Sequence, residues 1–126
     1  MIQNRLEKIK NTLNEDIILV AVSKTKPIEQ IKSLYEVGHV DFGENKVQEL
    51  VNKHGVLPKE INWHMIGHLQ RNKVRQIIPF IHLIHSVDSL RLLNKINDEA
   101  KKKHRKVNIL IQIKISNDKS KCGCWF

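Results

Sequence analysis

Apolar residues in this chain fall into short continuous runs separated by stretches with helical spacing. Residues 17–22 (Ile-Ile-Leu-Val-Ala-Val) form an unbroken apolar run, the pattern of a strand buried on both faces. Pro27 opens a helical pattern with Ile28, Ile31, Leu34 and Tyr35 on one side, and Gly38 is placed to stop it. Residues 39–42 read as a second strand. Residues 44–54 read as a second helix with Val47, Leu50 and Val51 as its stripe. A third strand is expected over 62–66, a third helix over 72–78 ended by Pro79, and a fourth strand over 80–85. Asp88 is placed to cap a fourth helix whose core face is Leu90, Leu93, Ile96 and Ala100. The Lys101–Lys102–Lys103–His104–Arg105 run reads as its solvated end, where cations complement the helix dipole. Period-two alternation of Val107, Ile109, Ile111, Ile113 and Ile115 predicts a fifth strand over 107–115.

Regular alternation of strand and helix argues for a parallel sheet with right-handed crossovers. Two architectures satisfy it: an open five-stranded sheet, or an interrupted (β/α) barrel. The first strand-to-helix turn, Ser23-Lys24-Thr25-Lys26-Pro27, holds no glycine, so it is neither a dinucleotide fingerprint nor a phosphate-binding P-loop.

That turn contains the first candidate for chemistry. Ile18, Val20, Val22 and Lys24 share one face of a strand by its two-residue period. An amine is thereby expected at the C-terminal end of the first strand, in line with an apolar interior row. In barrels that end carries the chemistry. Burying an ammonium costs several kcal/mol or lowers its pKa, and a neutral amine is what Schiff-base formation requires. An ordinary surface lysine in a loop is the competing reading.

Composition narrows the class. The 126 residues carry a formal net charge of +9, suited to anionic partners, and lysine far outnumbers arginine among the 22 cations. Arginine is the usual choice for bidentate base recognition, so nucleic acid is a poor fit and a small phosphorylated anion a better one. No run approaches the ~18 apolar residues of a membrane span. The N-terminal MIQNRLEKIKNTL is amphipathic and lacks the apolar core of a signal peptide. Cys122 and Cys124 form a C-x-C pair, neither a disulfide framework nor a full zinc ligand set. A cytoplasmic protein with reduced thiols is expected.

Five motifs in order then carry a resemblance. Ala21-Val22-Ser23-Lys24-Thr25-Lys26-Pro27 comes first, followed by Phe42-Gly43-Glu44-Asn45 with Val47-Gln48-Glu49. Trp63-His64-Met65-Ile66-Gly67 with Leu69-Gln70 and Asn72-Lys73 comes next, then His85-Ser86-Val87-Asp88-Ser89, and finally Ile111-Gln112-Ile113 with Ile115-Ser116. Together they resemble the pyridoxal phosphate homeostasis proteins, single-domain relatives of the alanine racemase N-terminal barrel. The resemblance implies an α/β fold: a parallel (β/α) barrel of the TIM or alanine racemase N-terminal type, here an incomplete barrel of about five strands. It implies one pyridoxal-phosphate-binding domain over 1–126. It implies that Lys24 carries pyridoxal 5'-phosphate covalently as a Schiff base, with Lys26 the competing choice.

Asn45 reads either as a helix N-cap or first-turn residue or as a polar wall of the cofactor pocket. His64 reads either as a structural strand histidine or as a pocket residue. Gln70 and Lys73 could meet substrate or solvent. His64 and His68 are four apart, but Gly67 and the strand pattern deny them a shared helix face, and no metal site is expected there.

The chain departs from the family pattern at Lys46, where an aromatic is usual, at His68, where proline is usual, and at Lys114, where asparagine is usual. After Ser120-Lys121-Cys122-Gly123 the family continues through another half barrel that supplies a phosphate cradle; here Cys124-Trp125-Phe126 follow. The expected function is cofactor homeostasis without catalytic turnover, with a racemase-like enzyme or a non-functional remnant as alternatives. Self-association through open sheet edges is also expected.

Overall fold

A computed structural model describes residues 2–113. The expected continuation of the fifth strand to Ile115, Lys114, and the Cys122/Cys124 pair lie outside those residues. Strands β1 (Ala21–Val22), β2 (Asp41–Glu44), β3 (Asn62–Met65), β4 (Leu83–Val87) and β5 (Asn108–Ile111) alternate with helices α1 (Ile2–Thr12), α2 (Ile28–Glu36), α3 (Val47–Val56), α4 (Val74–Ile77) and α5 (Leu90–Lys102). A 3₁₀ turn over Arg71–Lys73 leads into α4.

The five strands form one parallel sheet in the order β1-β2-β3-β4-β5. Each strand lies beside its sequence neighbour, so right-handed crossovers place successive helices on the same face. A doubly wound sheet reverses direction and puts helices on both faces. The sequential order therefore selects barrel-type winding, the alternative that hydropathy left open.

The helical face holds the core. Leu6, Ile31, Leu34, Leu50, Ile77, Leu92 and Ile96 pack with Phe42, Trp63, Met65 and Ile84 from the strands. The opposite face is only partly covered: Val22 is 52% exposed and Leu110 49%. The expectation that residues 17–22 form a strand buried on both faces is corrected here. Only Ala21 and Val22 pair with β2, and Ile17 and Ile18 are exposed. β1 is an edge strand whose concave side has no covering layer among the described residues.

Two further strands begin later than hydropathy suggests. β2 runs to Glu44 rather than ending at Phe42, so Glu44 lies in the sheet and not in the second helix. β4 runs over Leu83–Val87 rather than 80–85. In both places the ladder continues through polar positions, while the apolar residues before it, such as Ile81, are buried in the turn. Strand pairing follows backbone hydrogen bonds, and apolar composition locates it only to within a few residues.

Helix ends show the local chemistry. Gly38, with φ +99°, closes α2 as expected: its N–H donates to Tyr35 O at 2.9 Å and the His39 N–H donates to Leu34 O at 3.1 Å. That bond pair is the Schellman stop, and the left-handed residue it needs is glycine. Asp88 does not cap α5. Ser89 does, accepting from the Leu92 N–H at 3.1 Å. Of the expected core face, Ile96 is buried and Leu93 and Ala100 pack against the core, but Leu90, in the first turn, is 58% exposed and Leu92 is buried in its place at 2%. The basic run after α5 is only partly a solvated end. Arg105 Nη1 donates to Ile78 O at 3.0 Å and Ile81 O at 2.7 Å, satisfying carbonyls beyond the end of α4.

Truncating Leu92 to alanine should cost about 2–5 kcal/mol, and truncating Leu90 about 0.5 or less. Urea unfolding of both variants checks this; equal losses would mean that α5 presents the face inferred from sequence.

Candidate functional site

In a parallel sheet the strand ends that follow each β-strand collect at one edge. The ladder pairs Val22 with Gly43 and Gly43 with His64. Counting on from it, Lys24 and Asn45 stand at the same level, just past β1 and β2. His64 lies two residues lower, roughly 6.6 Å at 3.3 Å per residue. The sheet thus sets Lys24 and Asn45 at its C-terminal rim and His64 deeper on the concave face.

Lys24 differs from its sequence expectation. It does not extend the interior row of β1 but sits, exposed, in a turn beyond the strand. The buried ammonium belongs to Lys53, which is 5% exposed. Lys53 Nζ donates to Ser23 O at 2.7 Å, to Glu44 Oε2 at 2.9 Å and to Glu49 Oε2 at 2.8 Å. All three of its donors are used, the condition under which burying a lysine is tolerable.

These bonds fix the turn that carries Lys24. Ser23 is held on both sides: its N–H donates to Gly43 O at 2.9 Å and its hydroxyl to Glu44 Oε2. Its carbonyl accepts from Lys53 and from the Lys26 N–H at 3.1 Å. The Thr25 N–H donates to Glu49 Oε2 at 2.7 Å. Thr25 has φ +62°, a left-handed conformation that is unfavourable for a β-branched residue. Surrounding bonds must enforce such a conformation, and here α3 and β2 supply them.

The two carboxyls of this cluster respond oppositely. Burial pushes Glu44 above its ordinary pKa, against the hydrogen bonds from Ser23 and Lys53. The hydrogen bond from Lys53 holds Glu49 below its ordinary value, outweighing its partial burial. Glu44 is fully enclosed, with no partner for Oε1 among the described residues, whereas Glu49 keeps contact with solvent.

Asn45 does not cap α3. Lys46 occupies that position, without a side-chain bond to the helix. Asn45 packs instead against the backbone of Gly67, where an added Cβ would fall 2.5 Å from Asn45 O. Only glycine permits this approach, and Ser86 Oγ donates to Gly67 O at 2.5 Å from the next strand. Beside Asn45 opens a cleft of about 260 Å³ that also takes in Lys46, Gln48, His68, Gln70 and Lys73. Gln70 and Lys73, left between substrate and solvent by the sequence, line this cleft. His68 is largely exposed and faces Asp88 Oδ2 at 3.6 Å, apart from His64 as expected.

His64 is 2% exposed, with both ring nitrogens engaged: Nε2 with Asp41 Oδ1 at 3.0 Å and Nδ1 with His85 Nε2 at 2.9 Å. A carboxylate on one side favours the Nε2–H tautomer, leaving Nδ1 to accept from His85. Burial, and then the neighbouring His64, hold His85 below its ordinary pKa.

Hydropathy and motif reading missed Lys53 and Glu44 as a pair. The available signals were the i,i+4 spacing of Glu49 and Lys53 and the place of Lys53 three residues after Leu50.

The depressed His85 gives a signed pH dependence. The unfolded chain binds the extra proton more readily, so the His85 contribution is full above its unfolded pKa of ~6.5 and is lost as pH falls below it. Burial lowers His39 and His54 in the same sense. The thermal midpoint should fall between pH ~7.5 and ~5.5, and fall less in His85→Gln. A midpoint that rises on acidification, or an identical slope in the variant, would contradict this.

The alanine racemase N-terminal domain family matches residues 1–126. A pyridoxal phosphate homeostasis protein of Haemophilus influenzae is 37% identical over 98% of this chain and 54% of its own length. Its namesake in Escherichia coli K12 is 44% identical over 86% of this chain and 48% of its own length. The chain therefore spans about half the length of these curated relatives. The solved structure of PipY from Synechococcus elongatus with pyridoxal phosphate bound superposes with a TM-score of 0.87 at 36% identity, covering 94% of this chain and 57% of PipY. Without the cofactor PipY superposes at 0.91, covering 99% and 59%. The sequential parallel sheet and a match along the whole chain lead to one assignment: this chain belongs to the alanine racemase N-terminal domain family.

Proposed function

We propose that this chain is a pyridoxal 5'-phosphate-binding domain over 1–126 that holds the cofactor covalently at Lys24 and serves its intracellular homeostasis. The observation that carries the reading is the clamped turn: an exposed amine at the C-terminal rim of the sheet, on a backbone whose shape Lys53, Glu44 and Glu49 enforce. Similarity to PipY and to the homeostasis proteins supports it.

The residues present fit the group. When bound, the cofactor's aldehyde condenses reversibly with a primary amine and releases water. Lys24 offers an accessible amine for that purpose. Asn45 stands level with it as a polar wall, and His64 lies below as a polar floor. Lys46 and Lys73 place positive charge in the cleft beside Asn45, suited to a phosphate anion. A racemase-like activity needs a second acid or base facing the attachment amine. Glu44, Glu49 and Lys53 are instead bound to one another, which favours a holding role over turnover. Cytoplasmic placement is part of the proposal; no helix among the described residues is long and apolar enough to cross a membrane.

Borohydride reduction of the chain mixed with pyridoxal phosphate, followed by peptide mass mapping, tests the attachment. Label on Lys24 is expected; label on Lys26 or Lys46 with Lys24 unmodified overturns it. Self-association belongs to the same proposal, because among the described residues β1 and β5 have no further strand beside them, and an open edge can pair with another chain. Sedimentation velocity over a concentration series should show rising mass, and a strict monomer throughout would remove that part.

A further inference from the structure

The concave face carries a second group of side chains, of which only His64 also borders the proposed cofactor pocket. Asp41 at the start of β2, His64 within β3 and His82 just before β4 each offer one ligand-type atom, all within 4.8 Å of one another. The His64 and His82 rings lie 5.2 Å apart. Behind His64, His85 Nε2 stands 2.9 Å from its Nδ1.

We propose that Asp41, His64 and His82 form a binding site for a divalent transition-metal ion of the zinc class. Two imidazoles and one carboxylate are the donors that borderline ions such as zinc, cobalt and nickel select, whereas magnesium and calcium take oxygen sets. Tetrahedral bonds of ~2.0–2.2 Å place ligand atoms about 3.3 Å apart. Asp41 Oδ1 and His64 Nε2 are already 3.0 Å apart. His82 is only partly buried, so a side-chain torsion can close its remaining distance. Three protein ligands leave a fourth position to water, the pattern of open zinc sites.

The surroundings suit a metal as well. An ion on His64 Nε2 displaces the proton shared with Asp41; with His64 as the Nδ1–H tautomer and His85 as its own Nδ1–H tautomer, the bond between them reverses and His64 Nδ1 donates to His85 Nε2. An outer hydrogen bond of this kind orients a ligating histidine and fixes its tautomer. The fold makes the site rigid, since adjacent parallel strands deliver Asp41 and His64 in register, Asp41 opposite Asn62 and Gly43 opposite His64. The His82 N–H donates to Trp63 O at 2.8 Å, which ties the third ligand to the same ladder.

The test uses zinc or cobalt(II) alone with the full chain after chelator treatment, in the absence of pyridoxal phosphate, so that failure of the cofactor reading leaves it unaffected. The background is Cys122→Ser/Cys124→Ser, which removes the C-x-C thiols as competing ligands. Isothermal titration should give one ion per chain, and cobalt(II) the visible absorption of a four-coordinate site. His82→Ala and Asp41→Asn should each weaken binding by at least tenfold, and His85→Ala by roughly 10–100-fold through the outer bond. Circular dichroism identifies any variant that does not fold, and His82→Gln then replaces His82→Ala. Absence of saturable binding, or binding that His82→Ala and Asp41→Asn leave unchanged, overturns the proposal.

Discussion

One buried ammonium joins the three elements on which the site depends. Lys53 comes from α3, and its partners come from the turn after β1, the end of β2 and α3 itself. Removing such a charge from water costs several kcal/mol, which only a complete set of acceptors offsets. The set here includes the carbonyl of Ser23, so the conformation of the residue before Lys24 is part of the charge balance. Glu49 extends the same constraint to Thr25 by accepting its N–H. Without Lys53, two carboxyls and a carbonyl would face one another with only the Ser23 hydroxyl and the Thr25 N–H left as donors to the carboxyls. The left-handed Thr25 would then be held only by a Glu49 that Lys53 no longer anchors.

The sheet divides its work between two faces. Apolar residues on the helical face supply stability through burial, and the concave face is left with polar and partly exposed positions. Alternation along β3 shows the division in adjacent residues: Trp63 and Met65 are buried against the helices, while His64 between them meets Asp41 and His85. A titratable group on the inner face therefore sits on strands fixed by a core it does not disturb. Chemistry can vary there while the packing stays the same.

Much of this was legible in the sequence, and the failures share a cause. Alternation of elements, the Gly38 stop and the stripe of α2 follow from local periodicity, which depends on neighbours three or four residues away. Winding order was legible through the ordered motifs and their resemblance, not through hydropathy, which reports that a strand is buried and not which strand lies beside it. Lys24 was located as the residue of interest, yet the physical argument for a buried amine fitted Lys53. A sequence pattern marks a lysine near apolar residues equally well in either case; only the fold shows which ammonium meets Glu44. Asp41 starts β2, His85 lies in β4 and His82 just precedes it, and their meeting with His64 on β3 rests on register alone. Ser89 displaced Asp88 as a cap because either side chain suits the role and the chain's entry angle decides between them.

Lys53 holds the turn bearing Lys24 through the Ser23 carbonyl and through Glu49. Amide hydrogen exchange resolved to residues 23–26, compared between the wild-type chain and Lys53→Met, tests it most directly. The Thr25 and Lys26 amides should lose protection in the variant while amides in α5, remote from the clamp, keep theirs. Unchanged protection at Thr25 and Lys26 in a folded Lys53→Met chain would contradict it.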